Sequence, residues 1–262
     1  MYRIVREALA LARARGPAGL LKRATEAAAW RRLILGGLQF RDWKPVLARQ
    51  QLRGEGLEIG ALHNPLRLGD AVRVRFVDRF DVEGLRRHYP ELRDFDLVPV
   101  DIVDDGERLD TVPPASQDFI IASHFIEHCE NPLGSIRTHL ARLKVGGKLF
   151  YAIPDKRMTF DRRRANTAFE HLVADDTEGP LASREAHYRE WANRVLGKHG
   201  RDADETARRL MAEKFSIHFH CWDRKNLKMF FALAREYLKN QFCIIGLRAN
   251  GPESIVILER RF

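Results

Sequence analysis

The sequence lacks any apolar segment long enough to cross a bilayer. No run in its 262 residues approaches the roughly 18 uninterrupted apolar residues that a membrane-spanning helix needs. A secretory signal is not expected either, because Arg13 and Arg15 interrupt the apolar run that begins at Ala8. Both absences predict a cytoplasmic protein.

Cysteine is scarce as well. The three cysteines, Cys129, Cys221 and Cys243, contain no CxxC spacing. An odd number cannot pair completely, so the pattern disfavours both a disulfide framework and a structural zinc site. A reducing compartment is the predicted environment.

Apolar residues, in contrast, are plentiful. Hydrophobic residues make up 45% of the chain and aromatic residues 9%. This excludes the class of disordered chains, which are too polar to bury a core. The length allows one large domain with a sizeable core.

The formal charge of +9 is concentrated at the amino terminus. Residues 1–50 hold eleven Lys or Arg and three acidic residues, which leaves 34 basic and 33 acidic residues in positions 51–262. A protein that holds nucleic acid over its main body is expected to be basic there. The near-neutral body therefore disfavours nucleic acid as a partner.

Residues 1–53 are interpreted as a basic helical arm. Apolar residues recur at helical spacing over 4–12, Gly16 and Pro17 interrupt the pattern, and a second helical run covers 20–29. The arm is predicted to pack on the following domain. The alternative is a basic amphipathic anchor that contacts an anionic membrane surface or a partner protein.

From residue 54 onward, short apolar runs alternate with helical patterns. This rhythm is typical of a parallel sheet with crossover helices. Helices are predicted over 82–92, 131–144 and 223–239. Strands are predicted at 56–59, 72–77, 97–100, 118–122, 148–153, 242–247 and 254–259.

The predicted fold is therefore α/β, a doubly wound, mostly parallel seven-stranded sheet of the Rossmann-like kind. Asn250, Gly251 and Pro252 separate the last two strands and predict an antiparallel hairpin, so the last strand runs antiparallel. Residues 156–216 are polar, with helical patterns and no convincing strand. They are predicted to form a helical cap inserted in a domain that spans 54–262.

The first predicted strand ends in a turn that suits a cofactor. In LEIGALHNP (57–65), Glu58 lies near the end of a buried strand, and Gly60 and Ala61 follow. A glycine here lets a ligand approach the backbone at the carboxyl edge of the sheet. The GxGxxG spacing of a dinucleotide site is absent, and a plain tight turn is the alternative.

Carboxylates also end the next two predicted strands. Asp78 follows Glu58 by about 20 residues, where it could accept both hydroxyls of a ribose. Asp101 stands beside Ile102, a pair that suits an adenine amino group and its ring face. Each acid alone could be a solvated or helix-capping carboxylate, but three in succession favour a nucleoside site.

These segments resemble the successive motifs of class I S-adenosylmethionine-dependent methyltransferases, and within them the small enzymes called type 11. The motifs are LEIGALHNP (57–65), VDR (77–79), VDI (100–102), SQDFIIASHFIEHCENP (116–132) and LKVGGKLFYAIPD (143–155). EIGALHNP together with IPDKRMTFD (153–161) resembles a bacterial subgroup associated with surface-polysaccharide biosynthesis. The resemblance covers about residues 56–155.

The resemblance implies S-adenosylmethionine as cofactor and assigns residues to it. The methionine end would lie at Glu58, Gly60 and Ala61, and the ribose at Asp78 and Arg79. Asp101 and Ile102 would hold the adenine, and Ser123 with His124 would lie beside the sulfonium. One departure is the short link after Gly60, where Pro65 and Gly69 leave no room for the usual first helix. The N-terminal helices are expected to cover the face thus left bare.

Four residues are candidates for acid–base work on the methyl acceptor. His124 is the first choice for the base, because an ordinary histidine pKa of about 6.5 lies near the working pH. His128 lies four residues later, beside Glu127, and Asp155 ends the IPD motif. The alternatives are a packing role for His124, a structural role for His128 and a turn role for Asp155.

The fourth candidate, His220, lies two residues after His218 in IHFHCW (217–222), so both would point the same way in an extended segment. No third metal ligand stands beside them at diagnostic spacing. Substrate binding or plain hydrogen bonding is therefore predicted, and no metal.

The predicted function is methyl transfer from S-adenosylmethionine to an oxygen of a sugar or another small polar metabolite. Three alternatives stay open: an RNA methyltransferase, a non-catalytic cofactor-binding module that regulates or scaffolds, and a nicotinamide-dependent oxidoreductase. The last would need the missing glycines.

Overall fold

The computed structural model describes residues 42–69, 72–92 and 94–262. Within it, Trp43–Phe262 forms one compact unit. The predicted arm lies outside the described residues up to residue 41, whereas its last part, 43–53, belongs to the same unit as the sheet. No helix of the described part is both long enough and apolar enough to span a membrane.

Seven strands and seven α-helices build this unit. The strands are β1 (Gly54–Ile59), β2 (Val72–Asp78), β3 (Ile102–Val103), β4 (Gln117–Ser123), β5 (Leu143–Pro154), β6 (Phe242–Asn250) and β7 (Glu253–Arg260). The helices are α1 (Lys44–Gln51), α2 (Val82–His88), α3 (Pro132–Arg142), α4 (Phe169–Glu178), α5 (Leu181–Arg194), α6 (Gly200–Ala212) and α7 (Arg224–Tyr237). Short 3₁₀ turns cover Pro90–Leu92, Ile126–His128, Lys156–Met158 and Phe160–Arg163.

The strands form one sheet in the order β3-β2-β1-β4-β5-β7-β6. The pairs from β3 through β5 are parallel, and β7 runs antiparallel to both β5 and β6. This confirms the predicted seven-stranded, mostly parallel sheet with an antiparallel last strand.

Apolar residues of β4 face both layers of the fold, as expected for a strand buried on both sides. Phe119 and Ile121 join a core cluster with Ala48 and Leu52 from α1 and the segment after it. Ile120 and Ala122 face the opposite cluster, which includes side chains of α3 and α7. The sheet is therefore covered on both faces.

Local capping signals set the starts of three helices. Asp81, Asn131 and Asp223 each accept a hydrogen bond from the backbone amide three residues later, at the start of α2, α3 and α7. The helices predicted over 82–92, 131–144 and 223–239 are confirmed, although α2 ends at His88.

The third strand was predicted at the wrong residues. The apolar run 97–100 is not a strand, and β3 is the short pair Ile102–Val103. Pro99 explains the error, because proline has no N–H to donate to a strand ladder. The amide of Val98 instead donates to the carbonyl of Leu62.

The link from β1 to β2 contains no helix among its described residues, 60–69. The face that such a helix would cover is occupied by α1, because Ala48, Leu52 and Leu66 pack in the cluster around Phe119. The helices predicted over 4–12 and 20–29 lie outside the described residues, so the expectation that they cover this face stays a prediction.

The cap at 156–216 is fully described. It consists of two 3₁₀ turns followed by α4, α5 and α6, with no strand. Its helical character is as predicted.

Candidate functional site

The order of the strands places a crevice at the carboxyl ends of β1 and β4. These neighbouring strands lead to opposite halves of the sheet, and ligands of open α/β sheets bind at such a switch point. Ile59 pairs with Val77 on one side and with Ala122 on the other. The next residues, Gly60, Asp78 and Ser123, therefore end three adjacent strands at the same level.

Gly60 makes the turn out of β1 in a conformation that favours glycine. Its φ is 66°, and its amide donates to the carbonyl of Val77 at 2.9 Å. A Cβ added here would meet no heavy atom within 4 Å. The backbone therefore borders open space at the sheet edge, which fits the close approach of a ligand.

Glu58 lies two residues before this turn and is 2% exposed. Both of its carboxylate oxygens accept from the amide of Leu66, at 3.0 and 3.1 Å. Burial raises the pKa of Glu58 from 4.5 to about 7, against the opposing effects of that hydrogen bond and of Lys44. Glu58 thus fixes the segment after Gly60 through the amide of Leu66. When the carboxyl group is ionised, its burial destabilises the folded protein.

We expect Glu58→Gln to stabilise the protein at pH 8 but not at pH 4. The folded state has the higher pKa, so it binds more protons than the unfolded state, and wild-type stability falls as pH rises from about 4.5 to 7. The shift corresponds to about 3 kcal/mol, measured by urea unfolding at both pH values. Glutamine keeps the acceptor for Leu66 and removes the charge.

Glu55→Gln serves as the control, since Glu55 is an exposed residue of the same strand. It should change the free energy of unfolding by less than about 0.5 kcal/mol at either pH. Equal pH dependence in wild type and Glu58→Gln would contradict the assignment.

Asp78 is the last residue of β2, and Arg79 follows it. The Asp78 carboxylate accepts from the Arg79 amide at 2.8 Å. The Arg79 guanidinium turns toward α2, where it contacts His88 Nε2 at 2.6 Å and donates to the Tyr89 hydroxyl at 2.8 Å. Asp78 thus lies at the predicted place beside Gly60, and the arginine side chain is held by the helix.

Asp101 does not end the third strand, which corrects the prediction. It precedes β3 and pairs with Phe76, donating from its amide and accepting from the Phe76 amide at 2.7 Å. The next residue, Ile102, is half-buried and packs on the core. The carboxylate that follows β3 is Asp104, which accepts from the amide and hydroxyl of Thr111.

Ser123 and His124 leave the carboxyl end of β4. His124 adopts a φ of 53°, which is uncommon for a residue with a side chain. Its Nε2 lies 2.8 Å from Glu253 Oε2, and its Nδ1 lies 3.5 Å from Glu127 Oε1. Burial alone would lower the pKa of His124, but the two carboxylates outweigh it and raise the pKa above 6.5.

Glu253 connects His124 to the start of α1. Its carboxylate also lies 3.3 Å from Lys44 Nζ and accepts from the Asn250 side chain at 2.6 Å. Burial raises the pKa of Glu253, but His124 and Lys44 outweigh it and lower the pKa to about 2. The glutamate is therefore ionised, and its charge stabilises a protonated His124.

Asp155 follows β5 and is 2% exposed. Arg157 donates to both of its carboxylate oxygens, with the shortest distance 2.6 Å, and Arg224 Nε lies 3.5 Å away. Asp155 thus reaches the predicted edge, with its carboxylate held by two arginines.

His128 lies in the 3₁₀ turn that follows β4, and His220 is joined to that turn because its amide donates to the carbonyl of Glu127 at 3.2 Å. His128 Nδ1 is 2.8 Å from the carbonyl of Ile217. His218 Nδ1 contacts Asp161 at 2.6 Å, whereas His220 faces Asp175. His218 and His220 therefore do not act as a pair, because this segment is not a strand.

Sequence reasoning missed several groups around the site. Glu253 and Lys44 reach His124 from distant parts of the chain, and only the folded sheet brings them together. Glu127 is buried, and its carboxylate accepts no hydrogen bond from the described residues. In the sequence Glu127 stood out only as the neighbour of His128, and its place three residues after His124 in the HFIEH motif was the available signal.

Comparison with protein-family models finds no match, and comparison with curated proteins finds none. Solved structures with a similar fold include a methyltransferase from Methanosarcina mazei that depends on S-adenosylmethionine. It is 15% identical with a TM-score of 0.46, and the alignment covers 85% of this chain and 100% of that chain.

Two others are an O-methyltransferase family protein from Burkholderia thailandensis and a provisionally assigned methyltransferase from Bacillus halodurans. They are 12% and 14% identical, with TM-scores of 0.43 and 0.39, and cover 82% and 74% of this chain. This chain spans 52% and 64% of their lengths, respectively. At these identities a likeness concerns the fold, so function has to be inferred from the site.

Proposed function

We propose that this protein is an S-adenosylmethionine-dependent methyltransferase that acts on an oxygen of a sugar or another small polar metabolite. The observation that carries the proposal is the turn at Gly60, which opens onto free space at the switch point of the sheet. Asp78 and Ser123 flank that turn on the two adjacent strands.

The residues around the turn fit the parts of the cofactor. Gly60 and Ala61 would line its methionine end, with Glu58 fixing the following backbone, and Asp78 would accept its ribose hydroxyls. For the adenine, Ile102 remains a candidate, and the Asp101 carboxylate is committed to the Phe76 amide. Ser123 and His124 would border the reacting methyl group.

The cofactor supplies an electrophilic methyl group attached to a sulfonium. The protein has to align the acceptor oxygen opposite the sulfur, exclude water and take up the hydroxyl proton. His124 is the candidate proton acceptor by position. Because its ring faces Glu253 and Glu127, it has to be deprotonated before it can act, and the two carboxylates control that step.

The acceptor is proposed from the charge of the main body and from the sequence resemblance. Residues 51–262 are nearly neutral, which favours a small polar acceptor over RNA. A saccharide of the cell surface, methylated in the cytoplasm, is the specific proposal. Incubation of lysate fractions with labelled cofactor would show label in a saccharide fraction.

Label in RNA, together with an affinity for RNA that falls steeply as salt rises, would instead support the alternative of an RNA methyltransferase. Cofactor binding without label in any fraction would support the alternative of a non-catalytic cofactor-binding module. The basic arm would then be the part that contacts a membrane surface or a partner protein.

We expect Gly60→Ala to weaken binding of S-adenosylhomocysteine by about tenfold to 100-fold, because a methyl group intrudes where the ligand approaches the backbone. The substitution also strains a backbone with positive φ, at a cost of about 1–2 kcal/mol. Calorimetric titration measures the affinity, and urea unfolding measures the stability.

Gly146→Ala is the matched control. Gly146 has a φ of 79° and equally open surroundings, but it lies in the amino-terminal part of β5, away from the crevice. The two variants should lose similar stability, and only Gly60→Ala should lose affinity. No binding by wild type, or equal binding by both variants, would refute the proposed cofactor site.

A further inference from the structure

Three histidines and one aspartate converge where the cap meets the segment before α7. His171 and Asp175 stand one turn apart on α4, His187 lies on α5, and His220 precedes α7. One potential ligand atom from each residue lies within 4.8 Å of the others. His171, Asp175 and His187 belong to helices of the cap and not to the strand ends around Gly60.

The distances within this cluster approach those of a tetrahedral metal site. His171 Nε2 is 3.0 Å from His187 Nε2 and 3.1 Å from Asp175 Oδ2, and His220 Nε2 is 3.8 Å from the same oxygen. Zinc bonds of about 2.0–2.1 Å in a tetrahedron place ligand atoms about 3.3 Å apart. Every separation is within 4.8 Å, so the side chains would have to draw together by up to about 1.5 Å to share one ion.

Asp175 Oδ2 is buried and accepts no hydrogen bond from the described residues beyond its contacts with the histidines of the cluster. On His220, Nδ1 is the buried nitrogen without a hydrogen-bond partner there, whereas Nε2 lies 3.4 Å from the carbonyl of Glu130. His220 is fully buried, and Asp175 is 2% exposed. A buried carboxylate without full compensation is costly, and a cation bound by the four side chains would compensate it.

The surroundings also match those of metal ligands. The hydroxyl of Ser183 donates to Asp175 Oδ1 at 2.6 Å, which leaves Oδ2 toward the histidines, as outer hydrogen bonds do in metal sites.

We propose that His171, Asp175, His187 and His220 bind one Zn²⁺ ion. Three imidazoles and one carboxylate are a ligand set that zinc accepts, and four protein ligands leave no open position. The site is therefore structural: it ties α4 and α5 to the segment that precedes α7. His171, whose side chain is 35% exposed, marks the side from which the ion enters.

Two other groups nearby are weaker candidates. Glu127, His128 and His218 also converge within 4.8 Å, but they are three, and His218 Nδ1 is already bound to Asp161. Cys221 follows His220, but its thiol already donates to the carbonyl of Ala165.

The test is a titration of the full chain with Zn²⁺ after removal of metal by a chelator. We expect one Zn²⁺ per chain and a rise in the midpoint of thermal unfolding. His187→Ala should lower the affinity for Zn²⁺ by about 100-fold or more, since even outer residues of metal sites contribute about 10–100-fold. His199→Ala removes an exposed histidine of the same cap. It should leave both the affinity for Zn²⁺ and the rise in the unfolding midpoint unchanged.

Several outcomes would overturn the proposal. These are no stoichiometric binding, equal affinity in His187→Ala and wild type, or loss of affinity in His218→Gln with His187→Ala unaffected. X-ray absorption of the wild-type zinc complex stays decisive if a variant fails to fold. It should show only nitrogen and oxygen at about 2.0–2.1 Å, and sulfur at about 2.3 Å would contradict the ligand set.

These measurements require neither S-adenosylmethionine nor methyl transfer. The two tests can therefore give different answers: the protein can transfer methyl groups without binding zinc, or bind zinc without transferring methyl groups. Each result separates this inference from the proposed function.

Discussion

Arg164→Met is expected to lower the free energy of unfolding by about 3–5 kcal/mol, the cost of removing one partner from a buried ion pair. Arg164 is buried, and its side chain is 2% exposed. It donates to Asp161 at 2.8 Å and to the carbonyls of His218 and Phe219 at 2.7 and 2.9 Å. Methionine can fill the volume but donates to none of these groups.

The reason for the large effect is the burial of Asp161, which is 1% exposed. Burial raises the pKa of Asp161, but His218 and Arg164 outweigh it and hold the pKa below 3.8. Without the arginine, the carboxylate keeps its contacts with His218 Nδ1 at 2.6 Å and the Thr159 hydroxyl at 3.2 Å but loses its permanently charged partner. Since small proteins are stable by about 5–15 kcal/mol, the loss is a large part of the total.

Urea unfolding of Arg164→Met beside Arg209→Met checks this prediction. Arg209 belongs to the same cap and pairs with Glu213 one turn away, but its side chain is 61% exposed. Its replacement should cost less than about 0.5 kcal/mol. The double variant Arg164→Met with Asp161→Asn should regain part of the stability, and comparable losses in the two single variants would contradict the argument.

Arg164 also illustrates which parts of the molecule are open to sequence reasoning. Strands and helices follow local patterns, such as the apolar run of β4 and the caps at Asp81 and Asn131, so they were predicted well. The role of Arg164 depends on carbonyls more than 50 residues away, and no local pattern indicates that contact.

The candidate site shows the same division. Gly60 and Asp78 lie at strand ends as expected, because Gly60 follows β1 and Asp78 is the last residue of β2, two strands that local patterns predict. Asp101 was misplaced because the apolar residues around Pro99 resembled a strand. The ligand set at His171 could not be recognised, since its members come from three separate segments that only the cap brings together.

His124→Ala is expected to reduce turnover by about 100-fold or more while the affinity for S-adenosylhomocysteine changes only a few-fold. Turnover is measured with labelled cofactor on the lysate fraction that accepts label. The variant leaves Glu253 without its 2.8 Å partner, so its stability has to be measured alongside. Unchanged turnover in a folded variant would eliminate His124 as the base.

A pH profile separates a catalytic role of His124 from a positioning role. A base works in its deprotonated form, so kcat/KM should rise with pH through the pKa of His124, which lies above 6.5 because Glu127 and Glu253 favour the charged ring. Glu253→Gln removes one of these charges and should move the rising limb to lower pH. If His124 only positions other groups, the Glu253→Gln substitution should leave the rising limb of the pH profile at the same pH. The ionisation of His124 would then not limit kcat/KM.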